Sequence, residues 1–268
     1  MPRLPMKIPY VIDNINNRLA DVLNYLLQTL GKQALDVATA YFSIRGFQQV
    51  RHTLPHLNQF RLLLGDEPKT ARQVGLQPDS AAFLRHELNA EPLSEATQLL
   101  VEEIVRFLRR DEVQVRLYIG HDPQESVRRK FLHAKCYLFY GGRDEELALF
   151  DRLNPLVAIV GSSNFTGPGL TTNRELNLVH KTILTPDEVE DAYAKQEVQY
   201  QSQKIVNASI TTENQRLLKS EVGARAIIDL AQWYEDQWQL AADYKEELIE
   251  ILENSKFGGG STRLMKFI

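Results

Sequence analysis

The sequence predicts an α/β protein in which helices flank a β-sheet. Two observations support this fold class. Short apolar segments alternate along the first 185 residues with longer segments whose apolar residues recur at helical spacing. The chain has 268 residues, of which 43% are hydrophobic and 25% charged. This length and this composition are typical of a globular domain with a sizeable core.

Short apolar segments bounded by turn residues predict the strands. They span residues 34–42, 60–64, 113–119, 131–140, 156–160 and 176–179. Helices are predicted where apolar residues recur every three to four positions, as between residues 13 and 30, where Gly31 ends the pattern. Further helices are predicted at residues 47–57, 80–89 and 94–110, with a loop at 65–79.

The pattern changes after about residue 185, where the chain becomes rich in charge and mostly helical in its spacing. Residues 224–252 are amphipathic, and we expect Trp233 and Trp238 to pack this segment onto the body or onto a partner chain. A glycine run and a short basic-apolar end follow. The predicted units are a main domain at 1–185, a helical extension at 186–256 and a linker or chain end at 257–268.

Charge and cysteine content limit the classes of function. The 31 Lys and Arg residues against 35 Asp and Glu residues give a net charge of −4, which argues against a pure nucleic-acid-binding module but allows a local basic patch. The single cysteine, Cys136, excludes an internal disulfide and fits a reducing compartment. No signal peptide and no apolar run near the ~20 residues of a membrane helix is found. We therefore expect a cytoplasmic protein without a membrane partner.

Polar residues at two strands carry the chemistry. His133 and Lys135 lie two residues apart on a predicted strand, so both side chains would project from one face. Ser162 and Asn164 follow the next apolar strand, and Glu175 comes eleven residues later. Imidazole can attack phosphorus and form a covalent intermediate, while ammonium and amide groups stabilise charge on phosphoryl oxygens. No metal-ligand spacing surrounds these residues, so neither a metal nor another cofactor is predicted.

In these residues the chain resembles the phospholipase D superfamily. The signature of that superfamily is H-x-K, usually followed by an Asp, then G-S-x-N and a downstream Glu. The matching residues are His133, Lys135, Gly161, Ser162, Asn164 and Glu175. Tyr140 stands five residues after the Lys, where the family usually has the Asp.

The resemblance implies a phospholipase D-like mixed β-sheet flanked by helices, with residues 1–185 as the catalytic domain. It implies that His133 is the nucleophile and forms a phosphohistidine without a metal. Lys135 and Asn164 would bind the phosphate, and Ser162 would support it. Glu175 would hold His133.

A narrower resemblance concerns partners. The segments ATAYFSIRGF, LHAKCYLF and AIVGSSNFTGPGL, together with the helical tail, are similar to phospholipase D-like modules found ahead of helicase domains, over residues 34–256. No GxxxxGK[ST] loop is present, so a helicase would be a separate domain or subunit. This context favours nucleic acid over lipid, with DNA favoured over RNA. Because superfamily members with one motif per chain pair as homodimers, the resemblance implies a homodimer whose two motifs form a composite active site.

Five further residues are candidates for substrate binding. Ser163 is either a phosphate ligand or a turn hydroxyl, and Arg174 either touches phosphate or faces solvent. Arg128, Arg129 and Lys130 precede the motif, and they form either a solvated basic turn or a cluster that steers phosphate into the site.

The leading hypothesis is a metal-independent nuclease that cleaves DNA or RNA through a phosphohistidine intermediate. The main alternative is a non-catalytic nucleic-acid-binding or assembly module of a helicase-type system, in which Tyr140 marks a degenerate site. A phospholipid phosphodiesterase is the third reading, although no basic amphipathic helix suited to a membrane surface is evident.

Overall fold

A mixed eight-stranded sheet organises the part of the chain that the computed structural model describes, residues 8–30, 33–65, 80–118, 132–141, 155–181 and 212–258. The strands are β1 (Val11–Ile12), β2 (Gln33–Thr39), β3 (Gln59–Leu64), β4 (Val113–Tyr118), β5 (Cys136–Gly141), β6 (Pro155–Gly161), β7 (Asn177–Lys181) and β8 (Ala241–Asp243). The α-helices are α1 (Leu19–Thr29), α2 (Ile44–Val50), α3 (Ser80–Ala90), α4 (Glu95–Leu108), α5 (Gly167–Thr171), α6 (Thr212–Gln239) and α7 (Lys245–Glu253). The predicted α/β fold class, a mixed sheet flanked by helices with further helices at the C-terminal end, is confirmed.

The strand order across the sheet is β1-β7-β6-β5-β2-β3-β4-β8. The central strands β2, β3 and β4 run parallel, and all other pairs are antiparallel. Helices connect the parallel strands, as the crossover between parallel neighbours requires. The carboxyl ends of some strands and the amino ends of their antiparallel neighbours therefore lie together at one end of the sheet. The site lies at this end.

Each face of the sheet has its own hydrophobic cluster. Tyr137 and Phe139 of β5 point into the larger cluster, which helices α1, α2, α4 and α7 cover. Cys136 and Leu138 point to the other face, as strand alternation requires. Burial raises the pKa of the Cys136 thiol to about 12, so this cysteine is the inert buried thiol that the sequence predicts.

The long helix α6 covers the second face of the sheet. Ile227, Tyr234 and Trp238 are its buried side chains there. The helix ends at Gln239 and the chain adds the short strand β8 to the edge of β4, so the single amphipathic segment predicted over residues 224–252 is interrupted. No helix in the described part of the chain is both long and apolar enough to cross a membrane.

A buried ion pair joins the sheet to α6. Arg61 on β3 donates from Nε to Asp36 Oδ1 of β2 at 3.0 Å and from a terminal nitrogen to Glu235 Oε2 of α6 at 2.8 Å. Its guanidinium lies 5.1 Å from the ring centroid of Tyr234 and 4.9 Å from that of Trp238. Burial opposes the charge of Arg61, but Asp36 outweighs burial and raises the pKa of the guanidinium. The guanidinium of Arg61 therefore fixes α6 on the sheet through two carboxylates and two aromatic rings.

The first helix begins later than predicted, because the residues before it form a side-chain-stabilised turn. Asp13 Oδ1 accepts hydrogen bonds from the backbone N–H groups of Ile15 at 2.9 Å and Asn16 at 2.8 Å. Asn14 adopts a positive φ of 60°, and its Oδ1 accepts from Leu19 N at 2.9 Å. Apolar periodicity does not register such turns, so the prediction of a helix over residues 13–30 is wrong at its start.

Candidate active site

The residues of the sequence motif meet at one end of the sheet. Lys135 lies immediately before β5, and Ser162 lies immediately after β6. Thr39 ends β2, which pairs with β5, and Asn177 begins β7, which pairs with β6. Antiparallel pairing therefore brings segments that are distant in sequence to one edge, next to the carboxyl ends of the parallel strands. The carboxyl ends of strands are a common place for ligands to bind in α/β sheets.

His133 and Lys135 lie outside the sheet, which corrects the prediction of a strand over residues 131–140. The last contact with β6 is the hydrogen bond from Gly161 N–H to the Lys135 carbonyl at 3.2 Å. Further back, the Leu132 carbonyl lies so close to Gly65 that a Cβ there would be 2.1 Å from its oxygen. The chain thus leaves the sheet before Cys136 and passes close to Gly65. His133 and Lys135 therefore do not share one face of a strand, and their side chains differ in burial. His133 is exposed, while Lys135 is only 6% exposed.

Lys135 brings a positive charge into a nearly closed environment. Its Nζ donates to the His133 carbonyl at 3.2 Å. Burial lowers the pKa of the ammonium, and the carboxylate of Glu175 acts in the opposite direction. Lys135 and Glu175 therefore lie within electrostatic range of each other. A buried ammonium of this kind is suited to an anionic oxygen of a substrate.

Ser162 links the end of β6 to Glu175. Its Oγ donates to Glu175 Oε2 and accepts from Leu176 N at 3.0 Å. Gly161 allows this approach, because a Cβ there would lie 2.2 Å from the Leu176 carbonyl oxygen. Among the described residues, Glu175 thus accepts a hydrogen bond from Ser162 and interacts electrostatically with Lys135. The role in holding His133 that the family resemblance implies for Glu175 stays a prediction.

Asn164 accepts hydrogen bonds through its side-chain oxygen, so its amide nitrogen can donate to a ligand. Its Oδ1 accepts from Thr39 Oγ1 at 3.2 Å and from the backbone N of Tyr41 at 3.3 Å. A backbone N–H can only donate, so the atom that faces Tyr41 is the oxygen. The Nδ2 group then points away from β2 and can donate to a phosphoryl oxygen.

Ser163 is buried, in contrast to its neighbour Ser162. Its Oγ accepts from Asn177 Nδ2 at 2.8 Å, and its backbone N donates to Asn177 Oδ1 at 3.2 Å. The Tyr137 hydroxyl donates to its carbonyl at 2.9 Å. Ser163 therefore holds the turn, which is the alternative reading of this residue, and it does not face the site. Neither Asn177 nor Tyr137 was identified from the sequence. The signal for Asn177 was a polar residue at the start of an apolar strand.

The remaining candidates lie beside the site or beyond the described residues. Arg174 is exposed next to Glu175, in a position open to solvent and to substrate. Arg128, Arg129 and Lys130 fall outside the described residues, so their role stays a prediction. Within the described residues, no three His, Cys, Asp or Glu side chains lie together as metal ligands would.

Tyr140, which occupies the position of the family Asp, does not line the site. It lies at the far end of β5 from Lys135, where it pairs with Pro155 and Ala34. Its side chain is buried in the cluster beneath α6. Tyr140 therefore belongs to the core, where an unpaired carboxylate would be costly.

Three solved structures illustrate what this chain is similar to. Nuc from Salmonella typhimurium, a phospholipase D family member, is 12% identical over 87% of this chain and 95% of its own, with a TM-score of 0.39. NucT from Helicobacter pylori is 13% identical over 67% of this chain and 86% of its own, with a TM-score of 0.32. The phosphatidylserine synthase of Haemophilus influenzae Rd KW20 is 17% identical over 84% of this chain and 49% of its own, with a TM-score of 0.34. No curated protein matches the sequence.

The family assignment rests on the sequence. The family model described as the PLD-like domain of cardiolipin synthase matches residues 31–196, which is more than half of the chain. The match includes the segment with His133 and Lys135 and the segment with Ser162, Asn164 and Glu175. This chain belongs to the phospholipase D-like domain family.

Proposed function

We propose that this protein is a metal-independent phosphodiesterase that cleaves nucleic acid through a phosphohistidine on His133. The observation that carries the proposal is the arrangement at the end of the sheet. The exposed imidazole of His133 lies two residues from the buried ammonium of Lys135. The amide of Asn164, which accepts from Thr39, lies at the same end of the sheet. This set supplies a nucleophile and two donors for phosphoryl oxygens.

The reaction proceeds in two displacements. A nitrogen of the His133 imidazole attacks phosphorus, a P–N bond forms, and the P–O bond to the leaving alcohol breaks. Water then attacks the phosphohistidine, the P–N bond breaks, and a phosphomonoester leaves. Lys135 and Asn164 stabilise the charge on the non-bridging oxygens in both steps. Lys135 is held by the His133 carbonyl and Asn164 by Thr39, so little reorganisation of the two donors is needed.

Nucleic acid is the favoured substrate, because the site is open to a polymer. His133, Ser162 and Arg174 are all exposed. The likeness to helicase-linked modules points the same way, with DNA favoured over RNA and a helicase domain or subunit as a partner. A phospholipid phosphodiesterase is the second candidate, because the family model carries the description of a cardiolipin synthase domain.

A cleavage assay in excess EDTA tests the proposal. The substrates are labelled single- and double-stranded DNA and RNA, with vesicles of phosphatidylglycerol and cardiolipin as the lipid arm. We expect EDTA-resistant cleavage of at least one nucleic acid and no lipid turnover. Turnover of lipid without cleavage of nucleic acid would show that the substrate is a phospholipid. Binding of nucleic acid without any cleavage would establish the non-catalytic module. Cleavage that EDTA abolishes would contradict the mechanism.

We further propose that the active site is completed in a homodimer. The first displacement releases an alkoxide that needs a proton, and a second imidazole is the natural acid. An apolar edge patch formed by Tyr10, Val11, Leu176 and Leu178 borders the site, with exposed fractions of 64%, 46%, 61% and 48%. Val11 lies opposite Leu178 in the sheet, and Leu176 follows Glu175 directly. Exposed apolar side chains that lie together are typical of an interface, and a two-fold axis through this patch would bring the two sites together.

Leu178→Asp is expected to convert the dimer to monomers and to reduce cleavage by more than about 10-fold, because it places a carboxylate in the interface. Sedimentation velocity and the cleavage assay measure both effects. Leu99→Asp is the matched control, because Leu99 on α4 is 51% exposed and lies outside the edge patch. An active wild-type monomer, or equal effects of the two substitutions, would contradict the dimer.

Mixing wild-type protein with an equal amount of His133→Ala protein tests the composite site. If both imidazoles act together, activity should fall to about one quarter of that of the same total of wild-type protein, which is the fraction of wild-type dimers after random exchange. Independent sites would retain about one half.

A further inference from the structure

The hydroxyl of Thr39 lies behind the amide of Asn164, where three segments of the chain meet. Its Oγ1 lies 3.2 Å from Asn164 Oδ1, 2.9 Å from the Tyr41 carbonyl oxygen and 3.0 Å from Phe165 N. Thr39 is fully buried at the end of β2. One hydroxyl thus joins the end of a central strand to the turn after it and to the GSSN segment.

The donors and acceptors around this hydroxyl fix its role. Phe165 N–H can only donate, so Thr39 Oγ1 accepts there. The single hydroxyl proton is then shared between the Tyr41 carbonyl and Asn164 Oδ1, both of which accept. The hydroxyl therefore fixes the backbone directly after Asn164 and contacts the side chain of Asn164 at the same time.

The orientation of the Asn164 amide depends on these contacts. The torsion that rotates an Asn amide is broad and roughly two-fold, so the side chain alone does not choose which end faces the substrate. Thr39 and Tyr41 N together bind the oxygen end. Without the hydroxyl, one of these two contacts is lost and Phe165 N–H has no partner in a buried place, which favours movement of the segment.

We propose that Thr39 is a positioning residue that orients Asn164 so that its Nδ2 donates to one particular non-bridging oxygen of the phosphate. The inference rests on the proposed phosphodiesterase function. It means that the orientation of one phosphate donor, the Asn164 amide, depends on a residue outside the sequence motif. Thr39 itself does not touch the substrate. Its effect is confined to the step in which charge develops on the phosphoryl oxygens.

The kinetic test compares Thr39→Val, which removes the hydroxyl at nearly constant volume, with Thr39→Ser, which keeps it. We expect Thr39→Val to lower kcat by about 10- to 100-fold with little change in KM, a smaller loss than the ~10²–10³-fold typical of removing a donor itself, as Asn164→Ala does. Thr39→Ser should restore most of the activity. If Thr39→Val does not fold, Thr39→Ala removes the same hydroxyl with less bulk.

Thr53→Val is the matched control for loss of a buried threonine hydroxyl. Thr53 is buried away from the sheet end and donates to Asn24 Oδ1 at 2.7 Å, with the Val50 carbonyl oxygen 3.1 Å away. Thermal unfolding of both Val variants shows whether their stability losses are similar. We expect Thr53→Val to keep the wild-type kcat.

A stereospecific sulfur substitution separates positioning from a general structural effect. The substrate is an oligonucleotide with one phosphorothioate of defined Rp or Sp configuration, which replaces one non-bridging oxygen by a poor acceptor. In the wild type, one diastereomer should react more slowly, and this difference should shrink both in Asn164→Ala and in Thr39→Val. It should persist in Thr53→Val.

The outcomes distinguish the inference from the function on which it rests. An active wild type in which Thr39→Val keeps both kcat and the diastereomer difference would overturn the positioning role alone, and so would equal losses in Thr53→Val. A wild type without phosphodiesterase activity would overturn the proposed function and this inference with it.

Discussion

His133→Ala is expected to abolish phosphodiester cleavage, with kcat reduced by at least about 10⁴-fold, because removal of a covalent nucleophile eliminates the route through the intermediate. Nucleic-acid binding should remain close to that of the wild type. Of the two donors that contact phosphate in the proposal, Asn164 is held by Thr39 and Lys135 by the backbone carbonyl of His133, which the substitution keeps. Single-turnover cleavage and fluorescence anisotropy with the same labelled oligonucleotide measure the two effects.

His56→Ala is the control for this substitution. His56 is exposed, as His133 is, and lies in the short 3-10 turn at Leu54–His56. We expect it to keep wild-type activity. Cleavage by His133→Ala at a rate near that of the wild type would show that another group attacks phosphorus, and the assignment of the nucleophile would then be wrong.

Arg61→Met is expected to lower the free energy of unfolding by about 3–5 kcal/mol, because it leaves the carboxylate of Asp36 buried without its cation. The side chain of Asp36 is fully buried, and that of Arg61 is 8% exposed. The substitution also removes the cation that lies against Tyr234 and Trp238 of α6. Urea denaturation, followed by circular dichroism and by tryptophan fluorescence, measures the loss.

Two further variants make this result specific to burial. Arg109→Met breaks the surface pair between Arg109 and Glu253, whose side chains are 62% and 41% exposed, and should cost no more than about 1 kcal/mol. The double variant Asp36→Leu with Arg61→Met removes both charges and should recover most of the stability. Equal losses in Arg61→Met and Arg109→Met would contradict the role of the buried pair.

The sequence identifies the chemical groups of the site because each part of the motif is local. His133 and Lys135 lie two residues apart, and Ser162 and Asn164 occupy a single turn, so their types and spacing are visible without the fold. The family spacing favours Ser162 over Ser163, but two identical neighbours give no sign in the sequence of why they differ in burial. Their difference arises from Asn177, 14 residues further on, which binds Ser163 and leaves Ser162 at the surface.

Contacts between distant segments explain most of what the sequence does not predict. The pair of Asp36 and Arg61 spans 25 residues, and the contact of Arg61 with Glu235 spans 174. Strand β8 is too short for a periodic pattern, and only its pairing with β4 defines it. The strands themselves are predicted well at their apolar centres, and errors lie at their ends, as before Cys136, where the chain passes close to Gly65.

The most direct test of the central claim is to trap the covalent intermediate. Wild-type protein is mixed in EDTA with an oligonucleotide labelled with ³²P at all its phosphates, and the reaction is stopped in denaturing alkali. Phosphorus bound to imidazole nitrogen survives alkali and is released by acid. We predict a labelled protein band that is alkali-stable and acid-labile, that maps to the peptide with His133, and that is missing in His133→Ala. Steady cleavage by the wild type without label on His133, or with label on another residue, would contradict a phosphohistidine mechanism.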